Sequence, residues 1–203
     1  MPTLIFVRHG ETNGNIIDTF NGIADAPEDA LNAKGVTQIR ELSKVLSTIS
    51  FDAAYSSPLQ RARRSAEILL ENRHLTPIID PRLNEVDYGQ ASGWPVTKWL
   101  EAHPPKDPER WREDYLDTPY PGGESYRDCL NRLEAFGRDI AGRPEGTLLI
   151  VTHTLPIRLM LSVFYREDPR LWLPKPIANA GAYRAEMQND GRWGVEPLHP
   201  KTT

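Results

Sequence analysis

The sequence predicts an α/β fold, and three stretches predict it. The apolar run Leu4, Ile5, Phe6 and Val7 breaks abruptly into Arg8, His9, Gly10, Glu11 and Thr12. The arrangement returns where residues 52–55 run into Ser56, Ser57, Pro58, Leu59, Gln60 and Arg61. It returns again where residues 148–151 run into Thr152, His153 and Thr154. Each run reads as a buried strand with polar residues at its end, and each is followed by a helical pattern. In open α/β sheets, ligands bind beyond the carboxyl ends of the strands. If the three strands are parallel neighbours, Arg8, His9, Arg61 and His153 converge on one pocket.

The totals agree with this class. At 203 residues, 39% hydrophobic and 26% charged, the chain is expected to form a single domain over 1–203 with a sizeable core. A net charge of -4 and the lack of a Lys/Arg-rich run exclude nonspecific nucleic-acid binding. An anionic small-molecule substrate is still allowed, because a pocket's local charge can oppose the global sign. No apolar stretch is long enough to span a membrane, and the start lacks a basic n-region. No membrane association and no signal peptide are therefore expected. The single cysteine, Cys129, excludes an internal disulfide and fits a cytoplasmic setting. Lying in a helical pattern away from the convergent residues, it reads as a buried structural thiol.

The elements follow in order. After the first strand, residues 13–31 lack periodicity and contain Gly14, Gly22 and Pro27, which suggests an irregular segment over the pocket mouth. Asn32 caps a predicted helix to about Leu46, with Val36, Ile39, Leu42, Val45 and Leu46 on one face. Ser57 as N-cap, Pro58 at the first helical position and Gln60 at N3 predict a capping box for the next helix. Leu59, Ala62, Ala66 and Leu69 line its core face, and Arg61 stands in its first turn. There the helix dipole disfavours a cation, so the placement hints at a bound anion.

Residues 77–80 read as a short strand ahead of Glu85 and the Tyr88-Gly89 loop. Residues 91–122 hold six of the 18 prolines and three of the five tryptophans, Trp94, Trp99 and Trp111. They read as an inserted lid with short helices around 95–102 and 108–115. Its aromatics are expected to pack, with a weaker hint of contact to a ring-bearing leaving group. Ser125 and Asp128 form a second predicted capping pair, starting a helix whose buried stripe includes Tyr126, Leu130, Leu133, Phe136 and Ile140. Thr154 is expected to cap the helix after the last strand. Segments 177–187 and 192–196, joined through Asn189, Asp190 and Gly191, read as a terminal hairpin.

Two histidines and two arginines at strand ends suit a tetrahedral dianion. Arginine binds phosphate oxygens with a planar, permanently charged fork, and a neutral imidazole is a nucleophile. The chemistry predicted is phosphoryl transfer: one histidine attacks phosphorus, the cations stabilise the equatorial oxygens, and a carboxylic acid protonates the leaving group. A site in which the two histidines and Glu85 hold a metal is disfavoured, because adjacent arginines repel a divalent cation.

The chain resembles the histidine phosphatase superfamily, the phosphoglycerate mutase-like proteins. The resemblance rests on Arg8-His9-Gly10-Glu11-Thr12 with Asn15, on Leu31, Gly35 and Gln38, and on the run from Ser56 to Ala62. Leu83-Asn84-Glu85 with Tyr88-Gly89, Gly123-Glu124-Ser125 and Val151-Thr152-His153 complete it. It implies a three-layer α/β/α sandwich with a mainly parallel sheet and no cofactor or metal. It also implies that His9 is the phosphorylated nucleophile and Glu85 the proton donor, with Arg8, Arg61 and His153 binding the phosphoryl group. Asn15, Gly22, Tyr88 and Thr154 are the candidates for substrate contact.

Two positions depart from the family's pattern: Thr154-Leu155 follows the second histidine where glycine is frequent, and Ala91-Ser92-Gly93 replaces a frequent Trp-Glu-Gly. The reading favoured is a phosphatase acting on a small phosphorylated metabolite. A cofactor-dependent mutase and a weakly catalytic phospho-ligand binder are the alternatives, and a homodimer is allowed.

Overall fold

A computed structural model describes residues 1–17, 19–104, 114–143 and 146–198. Six strands form one sheet: β1 (Thr3–Arg8), β2 (Ala53–Ser56), β3 (Ile78–Ile79), β4 (Thr147–Thr152), β5 (Ala182–Met187) and β6 (Trp193–Leu198). Their order is β3-β2-β4-β1-β5-β6. The pairs β3–β2, β2–β4 and β4–β1 are parallel, and the β5–β6 hairpin adds an antiparallel edge beside β1. The three strands read from the sequence are thus parallel neighbours, with β4 in the centre. Register sets Arg8 opposite Thr152 and Ser56 opposite Val151, so their polar continuations emerge at one edge.

Strand alternation divides the core in two. Leu4, Phe6, Leu148 and Ile150 face one side, against α5 (Tyr126–Ala141) and α6 (Thr154–Tyr165). Ile5, Val7, Leu149 and Val151 face the other, against α2 (Ala33–Val45) and α3 (Gln60–Leu70). This is the three-layer sandwich. Buried Leu, Ile and Phe side chains contribute about 1.5–3 kcal/mol each, so the central strands are a rigid base for whatever stands on their ends. The helical stripes agree with the periodicity: Ile39, Leu42 and Leu46 are buried, as are Leu130, Leu133, Phe136 and Ile140.

Capping was legible for two helices and not for two others. The Asn32 side chain accepts from the Gly35 amide, and Ser125 with Asp128 makes the expected capping box. The box predicted at Ser57 does not form. Leu59 is the N-cap of α3, two residues later, and Pro58 lies outside the helix. The amide of Gln60 instead donates to the Asp25 carboxylate at 2.9 Å, so a distant loop caps this helix. Thr154 likewise is not a cap: His153 occupies that position, without a side-chain bond to the helix.

The segment after β1 carries one short helix that periodicity did not reveal, α1 (Asn13–Ile16), capped by Thr12. In the inserted region, α4 (Val96–Ala102) matches the expected helix at 95–102. Residues 108–113 of the other expected helix, with Trp111, lie outside the described residues. Trp99 is buried and stacks on His103 at 3.7 Å, while Trp94 meets Trp99 at 5.7 Å. Cys129 is fully buried, and burial raises its thiol pKa.

Candidate active site

β1 ends at Arg8, and the chain continues into His9, whose amide still donates to the Thr152 carbonyl of β4 at 3.1 Å. The His9 ring is 3% exposed, with Nδ1 2.7 Å from the Gly10 carbonyl. A carbonyl only accepts, so Nδ1 carries the proton and Nε2 keeps the lone pair. The turn beyond is held from two sides. The Gly10 amide donates to Ser65 Oγ at 3.1 Å, and the Glu11 amide to Gln38 Oε1 at 2.9 Å. A Cβ on Gly35 would stand 2.1 Å from the Glu11 carbonyl oxygen, so this approach of α2 to the turn requires glycine.

Arg61, in the first turn of α3, is only 2% exposed, which removes its reading as a solvated surface cation. Its guanidinium donates to the carbonyls of Gly22 at 2.6 Å and Ala24 at 3.0 Å. Gly22 has φ +50, and a Cβ there would meet the Val86 carbonyl oxygen at 2.8 Å. Gly22 therefore lets the loop fold back far enough for its carbonyl to aim Arg61.

His153 is fully buried, its ring centroid 5.1 Å from that of His9. Ser57 Oγ donates to Asn84 Oδ1 and lies 2.9 Å from His153 Nε2. With its one proton spent on Asn84, the serine accepts from Nε2–H. The neutral His153 ring therefore keeps its lone pair on Nδ1, which is buried without a hydrogen-bond partner among the described residues. Arg8, His9 and Arg61 line the cleft, and His153 is packed against His9 directly behind that wall.

Glu85 is 9% exposed, and its Oε1 accepts from the Val86 amide at 3.0 Å. Arg132, on α5, fixes the loop that carries it. Its guanidinium donates to the carbonyls of Arg82 at 2.6 Å and Glu85 at 3.1 Å, and pairs with Glu124 at 2.7 Å. Glu124 Oε1 in turn accepts from the Asp87 amide at 3.0 Å. The Gly123-Glu124-Ser125 stretch thus braces the loop that carries Glu85.

These groups border a cleft of about 310 Å³. Asn15, Gly22, Tyr88 and Thr154, the other residues expected in contact with substrate, also line it. Asn15 Oδ1 is engaged by the Thr12 amide and by Asn179, which leaves its amide nitrogen as the donor available to a ligand. Trp94 and Trp99 do not line the cleft; its aromatic wall is Phe20, Tyr88 and Tyr126. Sequence reasoning also missed Arg158 on the wall, although a single charge in the apolar helix α6, four residues after Thr154, was the available signal.

The electrostatics follow from burial. Desolvation pushes Arg8 down to about 10, with Arg158 and Arg61 adding to the effect and Glu85 opposing it. It holds both imidazoles well below the usual histidine value, helped by the neighbouring arginines, so His9 and His153 are neutral. Desolvation also raises the Glu85 carboxyl, against the pull of the Val86 amide, Arg61 and Arg8. The cleft thus presents a neutral nucleophile, fixed cations and a carboxyl that keeps its proton more readily than usual. Among the described residues, no group of three or more His, Cys, Asp or Glu is placed to hold a metal ion. The two-histidine, one-carboxylate arrangement is not formed.

Comparison with known proteins gives a consistent result. Residues 4–197 match the model of the histidine phosphatase superfamily (branch 1). Phosphoserine phosphatase 1 of Hydrogenobacter thermophilus is 35% identical over 161 residues, 79% of this chain and 74% of that protein. A 2,3-bisphosphoglycerate-dependent phosphoglycerate mutase of Azorhizobium caulinodans is 34% identical, covering 86% of this chain and 87% of the relative. In fold, the alpha-ribazole phosphatase of Shigella flexneri superposes with a TM-score of 0.82 at 24% identity, over 97% of this chain and 95% of that one.

Proposed function

The chain belongs to the histidine phosphatase superfamily, and from that membership we propose that it is a phosphatase hydrolysing a small phosphomonoester without a metal, through a phosphohistidine on His9. The observation that carries this reading is the tautomer of His9. The bond to Gly10 leaves the Nε2 lone pair as the nucleophile, in a cleft shared with Arg8, Arg61 and Glu85. Nε2 attacks phosphorus as the ester P–O bond breaks, while Arg8 and Arg61 hold the equatorial oxygens. The Glu85 carboxyl gives its proton to the departing alkoxide. The resulting carboxylate then takes a proton from water, which attacks the phosphohistidine. The P–N bond breaks, inorganic phosphate leaves, and His9 returns to its neutral form.

His153 binds the phosphoryl group by gaining a proton. Its Nδ1 has no donor to offer until it is protonated, so arrival of a dianion favours the imidazolium. Thr154 supplies a hydroxyl from the cleft wall, and Asn15 its amide. The described part of segment 91–122, which reaches the cleft through Val96, serves as a lid, and the reduced single thiol suits a cytoplasmic setting.

The second reading, a phosphoglycerate mutase, is supported by the Azorhizobium relative. Both are tested by following phosphate release from an aryl phosphate in excess EDTA, beside isomerisation of 3-phosphoglycerate with and without 2,3-bisphosphoglycerate. Metal-independent release with an acid-labile phosphoenzyme that disappears in His9→Ala supports the phosphatase. Bisphosphoglycerate-dependent isomerisation with little release would replace that reading by the mutase.

A further inference from the structure

We propose that Arg158 forms a second anion subsite in the cleft, and that the alcohol released from the phosphomonoester carries a carboxylate seated there. This rests on the phosphatase reading and specifies its substrate class.

Arg158 stands one helical turn beyond Thr154 on α6 and lines the cleft, as do Tyr126 and Leu173. Its Nε–H donates to the Lys175 carbonyl, which fixes the guanidinium plane. Among the described residues it has no carboxylate partner, and no hydrogen bond engages Nη1 or Nη2. Elsewhere the arginines Arg82, Arg127, Arg132 and Arg184 each pair with a carboxylate. A partly buried arginine without an anion loses hydration that its one bond to the Lys175 carbonyl only partly replaces, unless a ligand supplies the charge.

Arg8, Arg61 and the protonated His153 face the phosphoryl dianion, and Glu85, the acid on the cleft wall, carries its proton at the moment of attack, so Arg158 adds positive charge that the phosphoryl group does not neutralise. A single guanidinium offers one charge, which a carboxylate matches locally. The planar Nη1 and Nη2 fork also suits the two oxygens of a carboxylate.

The test uses substrate pairs that differ in the acid. The purified full chain is assayed on 3-phosphoglycerate against glycerol 3-phosphate, and on O-phosphoserine against O-phosphoethanolamine. The expected result is at least a ten-fold higher kcat/KM for each acid, carried by KM. In Arg158→Met the acid member should lose at least ten-fold more than its partner, and Arg158→Lys should recover part of the difference. Binding of the 3-phosphoglycerate and glycerol 3-phosphate pair, measured calorimetrically on His9→Ala, reads the subsite without turnover. Equal Kd values within that pair overturn the subsite while leaving any metal-independent hydrolysis intact. A bisphosphorylated glycerate bound more tightly than the monophosphorylated acid would overturn the carboxylate assignment. A carboxylate preference without phosphate release would uphold the subsite and remove the phosphatase reading instead.

Discussion

Arg8 and Arg82 are the same residue type under opposite conditions. Arg82, on the flank of the molecule, pairs with Asp80 at 2.7 Å and with Asp139 at 2.5 Å. Those bonds raise its pKa and lower that of Asp80. Arg8, at the strand edge, is pushed down to about 10 by burial and has a buried Nε with no partner among the described residues. Glu85 differs from Asp80 in the same way, its pKa raised where that of Asp80 is lowered. Charges that satisfy one another on the flank hold structure together. Charges kept apart and desolvated in the cleft store an attraction for a ligand that has not yet arrived.

The largest break in this contrast is His9→Ala. Removing the nucleophile should lower phosphate release by 10⁴-fold or more, on the scale seen for lost nucleophiles, with the far-UV circular dichroism unchanged. Retained turnover would sink the covalent mechanism. Next is Glu85→Gln, expected to reduce kcat by about 10²–10⁴-fold, the usual worth of a general acid.

That variant also sharpens the electrostatic comparison. The folded pKa of Glu85 lies above its unfolded value, so the native state binds the extra proton. Its contribution to stability is complete below the unfolded pKa and is lost as pH rises through the folded one. At pH 7 the charge is a burden, and Glu85→Gln should raise Tm, by ~2–4 °C for each kcal/mol relieved. In wild type, activity should fall on the acid side as His9 protonates, at a pH below the ordinary imidazole value. It should fall on the alkaline side as Glu85 ionises, above the ordinary carboxylate value. An alkaline limb that persists in Glu85→Gln would assign the proton donor elsewhere.

Ser57→Ala should have a smaller effect. Without the hydroxyl, His153 Nε2–H loses its acceptor and the ring its fixed tautomer. Inhibition by inorganic phosphate should weaken roughly ten-fold, equivalent to about 1.4 kcal/mol. Unaltered inhibition would show that the tautomer of His153 does not govern phosphate binding. The smallest effect is expected from Arg82→Met. Kinetics should stay within two-fold of wild type, while urea unfolding reports a loss of about 0.2–1 kcal/mol, as for exposed ion pairs.

The sequence by itself determined the three strands that build the site, the helices at α2 and α5 with their caps, and the polar residues at the strand ends. Those signals are local: an apolar run of strand length, a period of 3.6, or an Asn or Ser followed by open amides carries its physics within a few residues. Strand order was decided by tertiary packing, and so was the brace of Arg132 and Glu124 on the Glu85 loop. The same holds for the cap that Asp25 gives α3 and for the use of Ser57 as an acceptor for His153. The Asp25 cap spans 35 positions, the bonds that brace the Glu85 loop 37 to 50, and the contact of Ser57 with His153 96. A hydroxyl that local pattern assigns to its own helix is free to bond whatever the fold brings nearer. Arg158 illustrates the same division: its charge was visible in α6, but only packing shows that its guanidinium borders the cleft with no carboxylate paired to it among the described residues.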